Sequence, residues 1–169
     1  MSSEFKDWYA DFTEVQKKNY ELCMKYPILI PKIGFDGEVA DNYEYDYTEL
    51  NNIPVGWANA FGEQWAAEVQ DAINKLPEND REKVYILQLK EKFGVFSQYF
   101  NYTTDDIDAI IRKYEIISKR TCIRCGAKAT KILTSWISPY CYGCSEKMRG
   151  KFVDIEWLKE TDVDEDNYN

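Results

Sequence analysis

Apolar residues recur at three- and four-residue steps over residues 4–26, where Trp8, Phe12, Val15, Leu22 and Tyr26 fall on one side and Asn19 interrupts them. This period predicts an amphipathic helix packed on a core, ended by Pro27. Cys23 lies on it with no second cysteine nearby, as expected of a buried, unreactive thiol. A clearer stripe runs over 57–76: Phe61, Trp65, Val69, Ile73 and Leu76, widened by Ala66 and Ala72 and stopped by Pro77. Glu63 and Glu68 sit about 500° apart around this helix at 3.6 residues per turn, so they do not share a face and are expected in solvent. A third stripe, Ile107, Ile110, Ile111, Tyr114 and Ile117, predicts a helix over 104–119. Thr103 or Thr104 can cap it, and Asp105, Asp106 and Asp108 suit its positive end. Between the second and third helices the period falls to two. Residues 83–90 and 95–102 predict an antiparallel hairpin around Glu91-Lys-Phe-Gly94, with Tyr85, Leu87 and Leu89 on one face. Phe152–Leu158 alternates apolar and acidic residues and predicts a last strand.

Residues 27–56 break this periodicity with Pro27, Pro31, Gly34, Gly37 and Pro54. From Asp36 to Glu49 there are six acidic residues and no basic one, so the segment carries a concentrated negative charge. Within it, Tyr43-Glu-Tyr-Asp-Tyr47 alternates, and in a strand Tyr43, Tyr45 and Tyr47 would share one face. Two readings stay open. One is an ordinary strand with tyrosines inward and carboxylates in water. The other is a partner-binding surface formed by Asp41, Tyr43, Glu44, Tyr45, Asp46 and Tyr47, in which spaced carboxylates stand in for phosphates on a nucleic-acid-binding protein.

The strongest chemical signal comes after the third helix. Cys122 and Cys125 are separated by two residues, as are Cys141 and Cys144, a spacing that reads as a four-thiolate zinc site. Gly126 and Gly143 are expected to permit the tight turns around the sulfurs. Four sulfurs close a tetrahedron and leave no position for substrate, so the Zn2+ would be structural. Iron in the same geometry is the competitor. Lys128–Ile137 is long enough for a short hairpin, giving a zinc ribbon. The expected architecture is α+β: helices packed on a small antiparallel sheet with a C-terminal four-cysteine ribbon. Its expected parts are an acidic body (1–119), a ribbon module (120–150), a strand returning to the body (151–161) and a disordered acidic tail (162–169).

The charge reinforces that division. The net charge is −9, which opposes unguided binding to nucleic acid or anionic membrane. Yet Arg112–Lys151 holds ten basic residues against Glu115 and Glu146, so the ribbon region is positive and the remainder strongly negative. Arg124, Lys128 and Lys131, with Trp136, Tyr140 and Tyr142 as exposed aromatics, are candidate nucleic-acid contacts. The absence of histidine excludes His-ligated zinc, histidine general bases, Ser-His and Cys-His pairs, and the chemistry of HNH nucleases. No catalytic residue is therefore assigned. No apolar run is long enough for a membrane span, and the N-terminus lacks the character of a secretory signal, so a cytoplasmic protein with reduced thiols is expected.

Several of these pieces occur together: Gly56-Trp57, Leu87-Gln-Leu-Lys-Glu-Lys-Phe-Gly94, Tyr114-Glu-Ile-Ile-Ser118 before Cys122-Ile-Arg-Cys-Gly126, and Ser135-Trp-Ile137 before Cys141. Over roughly residues 54–146 the chain resembles small, mostly uncharacterised proteins of phages and prophages. It departs from that pattern at Val95-Phe-Ser-Gln-Tyr99. The resemblance implies a phage or mobile-element setting and no settled activity. The resulting expectation is a non-enzymatic accessory protein whose acidic surface binds a host protein. The partner class is a nucleic-acid-binding defence nuclease, inhibited in the manner of an anti-CRISPR protein. A nucleic-acid-binding regulator acting through the basic ribbon is the alternative, and a purely structural protein is the third.

Overall fold

The computed structural model describes residues 9–33 and 36–155. In chain order the elements begin with α1 (Glu14–Lys25), a 3-10 turn at Pro27–Leu29, β1 (Lys32–Ile33) and β2 (Glu38–Val39). A 3-10 turn at Glu49–Asn52 leads into α2 (Val55–Trp57), a π-helical turn at Ala58–Gly62, α3 (Glu63–Asn74) and α4 (Glu78–Arg81). Then come β3 (Ile86–Lys92), β4 (Val95–Phe100), α5 (Asp105–Lys119), β5 (Lys131–Leu133), β6 (Ser138–Tyr140), α6 (Tyr142–Ser145) and β7 (Phe152–Asp154). The chain mixes helices with small sheets, β1–β2, β3–β4 and β6–β5–β7, so the expected α+β class holds at that level. No helix among the described residues is long and apolar enough to cross a membrane.

The chain divides into two compact units, and the division differs from the expected one. Among the described residues, those up to 52, 64–89 and 98–110 form the first, and 53–63, 90–97 and 111–155 form the second. Residues 53–63, 90–97 and 111–119, expected in the acidic body, thus belong with the cysteines. Sequence order favoured a contiguous body, but backbone contacts made far along the chain decide the grouping.

In the first unit, α1 starts later than its stripe suggested. Thr13 Oγ1 accepts from the Gln16 N–H and the Gln16 side chain accepts from the Thr13 N–H, a capping box that satisfies the helix end and stops it there. Phe12 is buried but precedes the cap, Val15 is 61% exposed, and Cys23 is the residue α1 buries. Trp8 lies outside the described residues. α3 carries its predicted face, burying Trp65, Ala66, Val69, Ala72 and Ile73. The buried Trp65 indole donates to Gln98 Oε1 at 2.7 Å, which satisfies two polar groups inside the core. Glu63 is exposed as expected, whereas Glu68 is half-buried.

The Tyr43–Tyr47 segment is not a strand. Asn42 and Tyr45 have φ of 60° and 61°, left-handed values that interrupt extended backbone. α1 supplies hydrogen bonds that a neighbouring strand would otherwise make: Gln16 Nε2 donates to the Glu44 carbonyl and Asn19 Nδ2 to the Tyr45 carbonyl. Tyr45 packs edge-on against Tyr20 with centroids 5.1 Å apart, and Tyr43 lies against both Tyr45 and Tyr47.

The second unit is built on the aromatic rings of Trp57, Phe61, Phe96 and Tyr114, with centroid separations from 5.5 to 6.3 Å. The Phe96 N–H donates to Ser118 Oγ, whose own O–H donates to the Glu115 carbonyl, so the buried serine is fully used. The predicted hairpin forms, but its connection is the two residues Phe93-Gly94. Their φ values of 51° and 79° define a type I′ turn, and β3 extends to Lys92. Alternation fails at Leu87, which is 42% exposed beside an exposed Gln88. α5 matches its prediction, with Thr104 Oγ1 accepting from the Ile107 N–H.

β5 and β6 pair antiparallel (Lys131↔Tyr140, Leu133↔Ser138), which is the expected hairpin. β7, expected to return to the acidic body, instead pairs antiparallel with the other edge of β5, Lys131↔Asp154 and Leu133↔Phe152. The unpaired edge of β5 is the nearer partner for a strand that follows it so closely in sequence. Residues 156–161 of the predicted strand and the 162–169 tail lie outside the described residues.

Candidate metal centre

α5 delivers the chain to the first cysteine pair. Thr121 Oγ1 donates to the Ile117 carbonyl, and the Gly126 N–H donates to the Cys122 carbonyl at 3.0 Å, closing the Cys122–Cys125 turn. Gly126 has φ +80°, a left-handed conformation that residues with a Cβ rarely adopt, so this expectation holds. Gly143 differs: its φ is ordinary and nothing lies within 4 Å of where a Cβ would stand. The second turn is instead set by Cys141, which caps α6 and accepts the Cys144 N–H on its sulfur at 3.4 Å.

The four Sγ atoms of Cys122, Cys125, Cys141 and Cys144 all lie within 4.8 Å of one another, and those of Cys125 and Cys141 are 3.6 Å apart. Sulfurs on a tetrahedral ion at about 2.3 Å would be separated by about 3.8 Å, so the set fits one four-coordinate ion. Cys122 is buried, Cys141 and Cys144 are half-buried, and Cys125 is exposed. Beneath them Leu133 and Tyr140 form a small core with Ile123, Met148 and Phe152.

The electrostatics favour one thiolate in advance of any ion. Burial opposes ionisation of Cys122, but backbone N–H groups of Cys125, Cys141 and Arg124 outweigh it and bring the thiol down to about 7. Cys144 is pushed up to about 12, first by burial and then by the neighbouring sulfurs, because a second uncompensated negative charge there is costly. A bound cation would remove that repulsion.

Sequence reasoning missed what supports this turn. The Gly56 N–H donates to the Ile123 carbonyl at 2.9 Å, and the buried Trp57 indole donates to the Thr121 carbonyl at 2.8 Å. A Cβ on Gly56 would stand 2.3 Å from the Cys122 carbonyl oxygen and 2.6 Å from the Ile123 carbonyl carbon. The available signal was a glycine beside a tryptophan at a helix start, two residues after a proline, which pointed to a close backbone approach but not to its partner.

The remaining candidates are not gathered at this centre. Asp41, Glu44, Asp46 and Tyr47 are exposed on the first unit, and Tyr43 and Tyr45 are half-buried. The Tyr43 hydroxyl donates to the Tyr47 carbonyl and lies 3.9 Å from Cys23 Sγ. Burial raises both groups, Cys23 to about 11 and Tyr43 well above the ordinary phenol range, so the thiol is neutral and shielded as expected. Arg124 and Lys128 are exposed near the cysteines. Lys131 is held by Asp154 at 2.6 Å across β5–β7, so it is already committed. Tyr140, expected to be exposed, is 6% exposed and packs edge-on against Phe152, because β6 turns it inward. Comparisons with protein-family models, with curated proteins and with solved structures returned no match.

Proposed function

We propose that Cys122, Cys125, Cys141 and Cys144 hold one zinc ion in a closed zinc ribbon, and that the protein works by binding a macromolecule rather than by catalysis. The carrying observation is the sulfur arrangement itself, four Sγ atoms mutually within 4.8 Å. Four thiolates fill every position of a tetrahedral ion, which makes the ion a clip for the fold. Thiolate ligands suit zinc, and a ribbon with so small a core draws much of its folding free energy from metal.

The partner surface in this reading is the acidic loop 41–47. Its backbone is pinned by Gln16 and Asn19, so Asp41, Glu44 and Asp46 are presented from a pre-ordered frame at little entropic cost. The partner class is a host protein with a basic nucleic-acid-binding groove. Together with the resemblance to phage proteins, this supports a phage-type accessory protein that inhibits a defence nuclease, such as a CRISPR effector, in the host cytoplasm.

Two measurements test the reading. The wild-type protein should carry one zinc by plasma emission spectrometry, and Cys125→Ser or Cys141→Ser should lose it. Full zinc content in both variants rejects the site. Affinity purification from the host should recover a nucleic-acid-binding protein, released by salt and weakened in Glu44→Gln/Asp46→Asn. Salt-insensitive binding unchanged by that double substitution rejects the acidic surface. The exposure of Arg124 and Lys128 favours a second reading, a nucleic-acid-binding regulator acting through the ribbon. A mobility shift abolished by Arg124→Gln/Lys128→Gln would establish it.

A further inference from the structure

Two turns in the second unit adjoin at their tips. Where the missing Cβ of Gly94 would stand, the Ile137 carbonyl oxygen is 3.3 Å away and Pro139 Cδ 3.4 Å away. Glu91 binds them together: one carboxylate oxygen accepts the Gly94 N–H at 2.7 Å and the other the Trp136 indole N–H at 3.4 Å. At this junction Phe93 and Trp136 are each 69% exposed and Ile137 is 48% exposed. Exposed singly, such residues are unremarked; here three lie on two adjoining turns, two of them aromatic.

Phe93 also breaks a local rule. It takes the first central position of a type I′ turn with φ 51°, where Asn, Asp or Gly is favoured because Cβ crowds the backbone. A bulky aromatic residue there strains the turn and, at 69% exposure, returns little packing. Local rules broken without structural gain point to function. The surrounding charge indicates what these residues meet. Lys92 is exposed beside Phe93. Lys151 is exposed beside the other turn, its carbonyl accepting from both the N–H and the hydroxyl of Thr134. The Glu91 carboxylate at this junction is half-buried, and both its oxygens accept hydrogen bonds from the two turns.

We propose that Phe93 and Trp136 form a stacking platform for single-stranded nucleic acid, with Lys92 and Lys151 contacting its phosphates. Aromatic faces stack bases of any sequence, and flanking lysines hold the backbone electrostatically. The double helix is a poor ligand, because its bases are already stacked. The platform shares Trp136 with the nucleic-acid contacts read from the sequence but uses neither the acidic loop nor Arg124 and Lys128, and its dependence on Phe93 tests it separately from both.

The test uses the full-length, zinc-loaded protein and fluorescence anisotropy of a dye-labelled oligothymidylate of about twenty nucleotides at about 50 mM salt. Wild type should bind the single strand in preference to a duplex of equal length. Phe93→Asn should weaken binding about tenfold or more while raising the melting temperature, since Asn suits the turn. Trp136→Ala should weaken binding similarly. Lys92→Gln/Lys151→Gln should flatten the salt dependence. The proposal is overturned if wild type does not bind, if Phe93→Asn binds as wild type does, or if duplex binds equally well. Equal, Phe93-dependent binding of a polyglutamate peptide would also overturn it, in favour of an acidic protein partner.

Discussion

The sharpest test of the metal centre is a single methyl group at Gly56. In Gly56→Ala the new Cβ would stand 2.3 Å from the Cys122 carbonyl oxygen, 2.6 Å from the Ile123 carbonyl carbon and 2.7 Å from the Ile123 carbonyl oxygen. All three are backbone atoms, so no rotamer change relieves the clash. Ordinary contact begins near 3.4 Å, so α2 and the Cys122–Cys125 turn must part by about 1 Å. That separation takes the Gly56–Ile123 hydrogen bond from 2.9 Å and the Trp57–Thr121 bond from 2.8 Å to beyond bonding range. Losing them costs about 1 kcal/mol for the first and up to about 3 kcal/mol for the second, because the Trp57 N–H is buried. Alanine's better helix propensity returns at most about 1 kcal/mol. The expected net loss is about 2–3 kcal/mol, or roughly 5–10 °C in the melting temperature of the zinc-loaded protein. The displaced turn carries two of the four thiolates, so zinc affinity measured against a competing chelator should fall about tenfold or more, about 1.4 kcal/mol. An ordinary Gly→Ala change on a free helix predicts the opposite sign, a stabilised protein with unchanged affinity. That result would refute the close approach as the reason for Gly56.

Zinc binding should be strongly pH-dependent. The Cys144 thiol, pushed up to about 12, is protonated at neutral pH, so the ion must displace its proton; acid favours the protonated thiol and opposes binding. Chelator competition between about pH 6 and 8 should show affinity rising at least about tenfold per unit, and a flat profile would exclude thiolate ligation by Cys144. Thr13→Ala should cost about 1 kcal/mol by removing the capping box of α1, read as a lower urea midpoint at unchanged slope.

What the chain shows on its own is local. The stripe from Phe61 to Ile73 places α3, the Thr104 cap and following aspartates place α5, and the turn residues Glu91-Lys-Phe-Gly94 join two β-patterned runs, although only the structure shows that the connection narrows to Phe93-Gly94. The two Cys-x-x-Cys pairs announce their cluster because each turn directs both its sulfurs the same way whatever surrounds it. Apolar period and turn chemistry act over a few residues, so they are legible without knowing the neighbours. The cap of α1 was equally local, in Thr13 and Gln16, but a longer apolar stripe masked it.

The tertiary structure decided the matters of partner choice. Tyr43–Tyr47 alternates like a strand, yet a strand exists only where another edge accepts its hydrogen bonds, and here Gln16 and Asn19 take those carbonyls instead. β7 has the pattern of a strand in any sheet, and only the open edge of β5 makes it part of the cysteine unit. Lys131 is a free basic residue by sequence and half of an ion pair once Asp154 lies across from it. Gly56 meets Cys122 and Ile123 through backbone atoms, which carry no side-chain signature at all. Such contacts join residues tens of positions apart, and chain entropy, edge availability and steric fit settle them together only when the whole chain is folded.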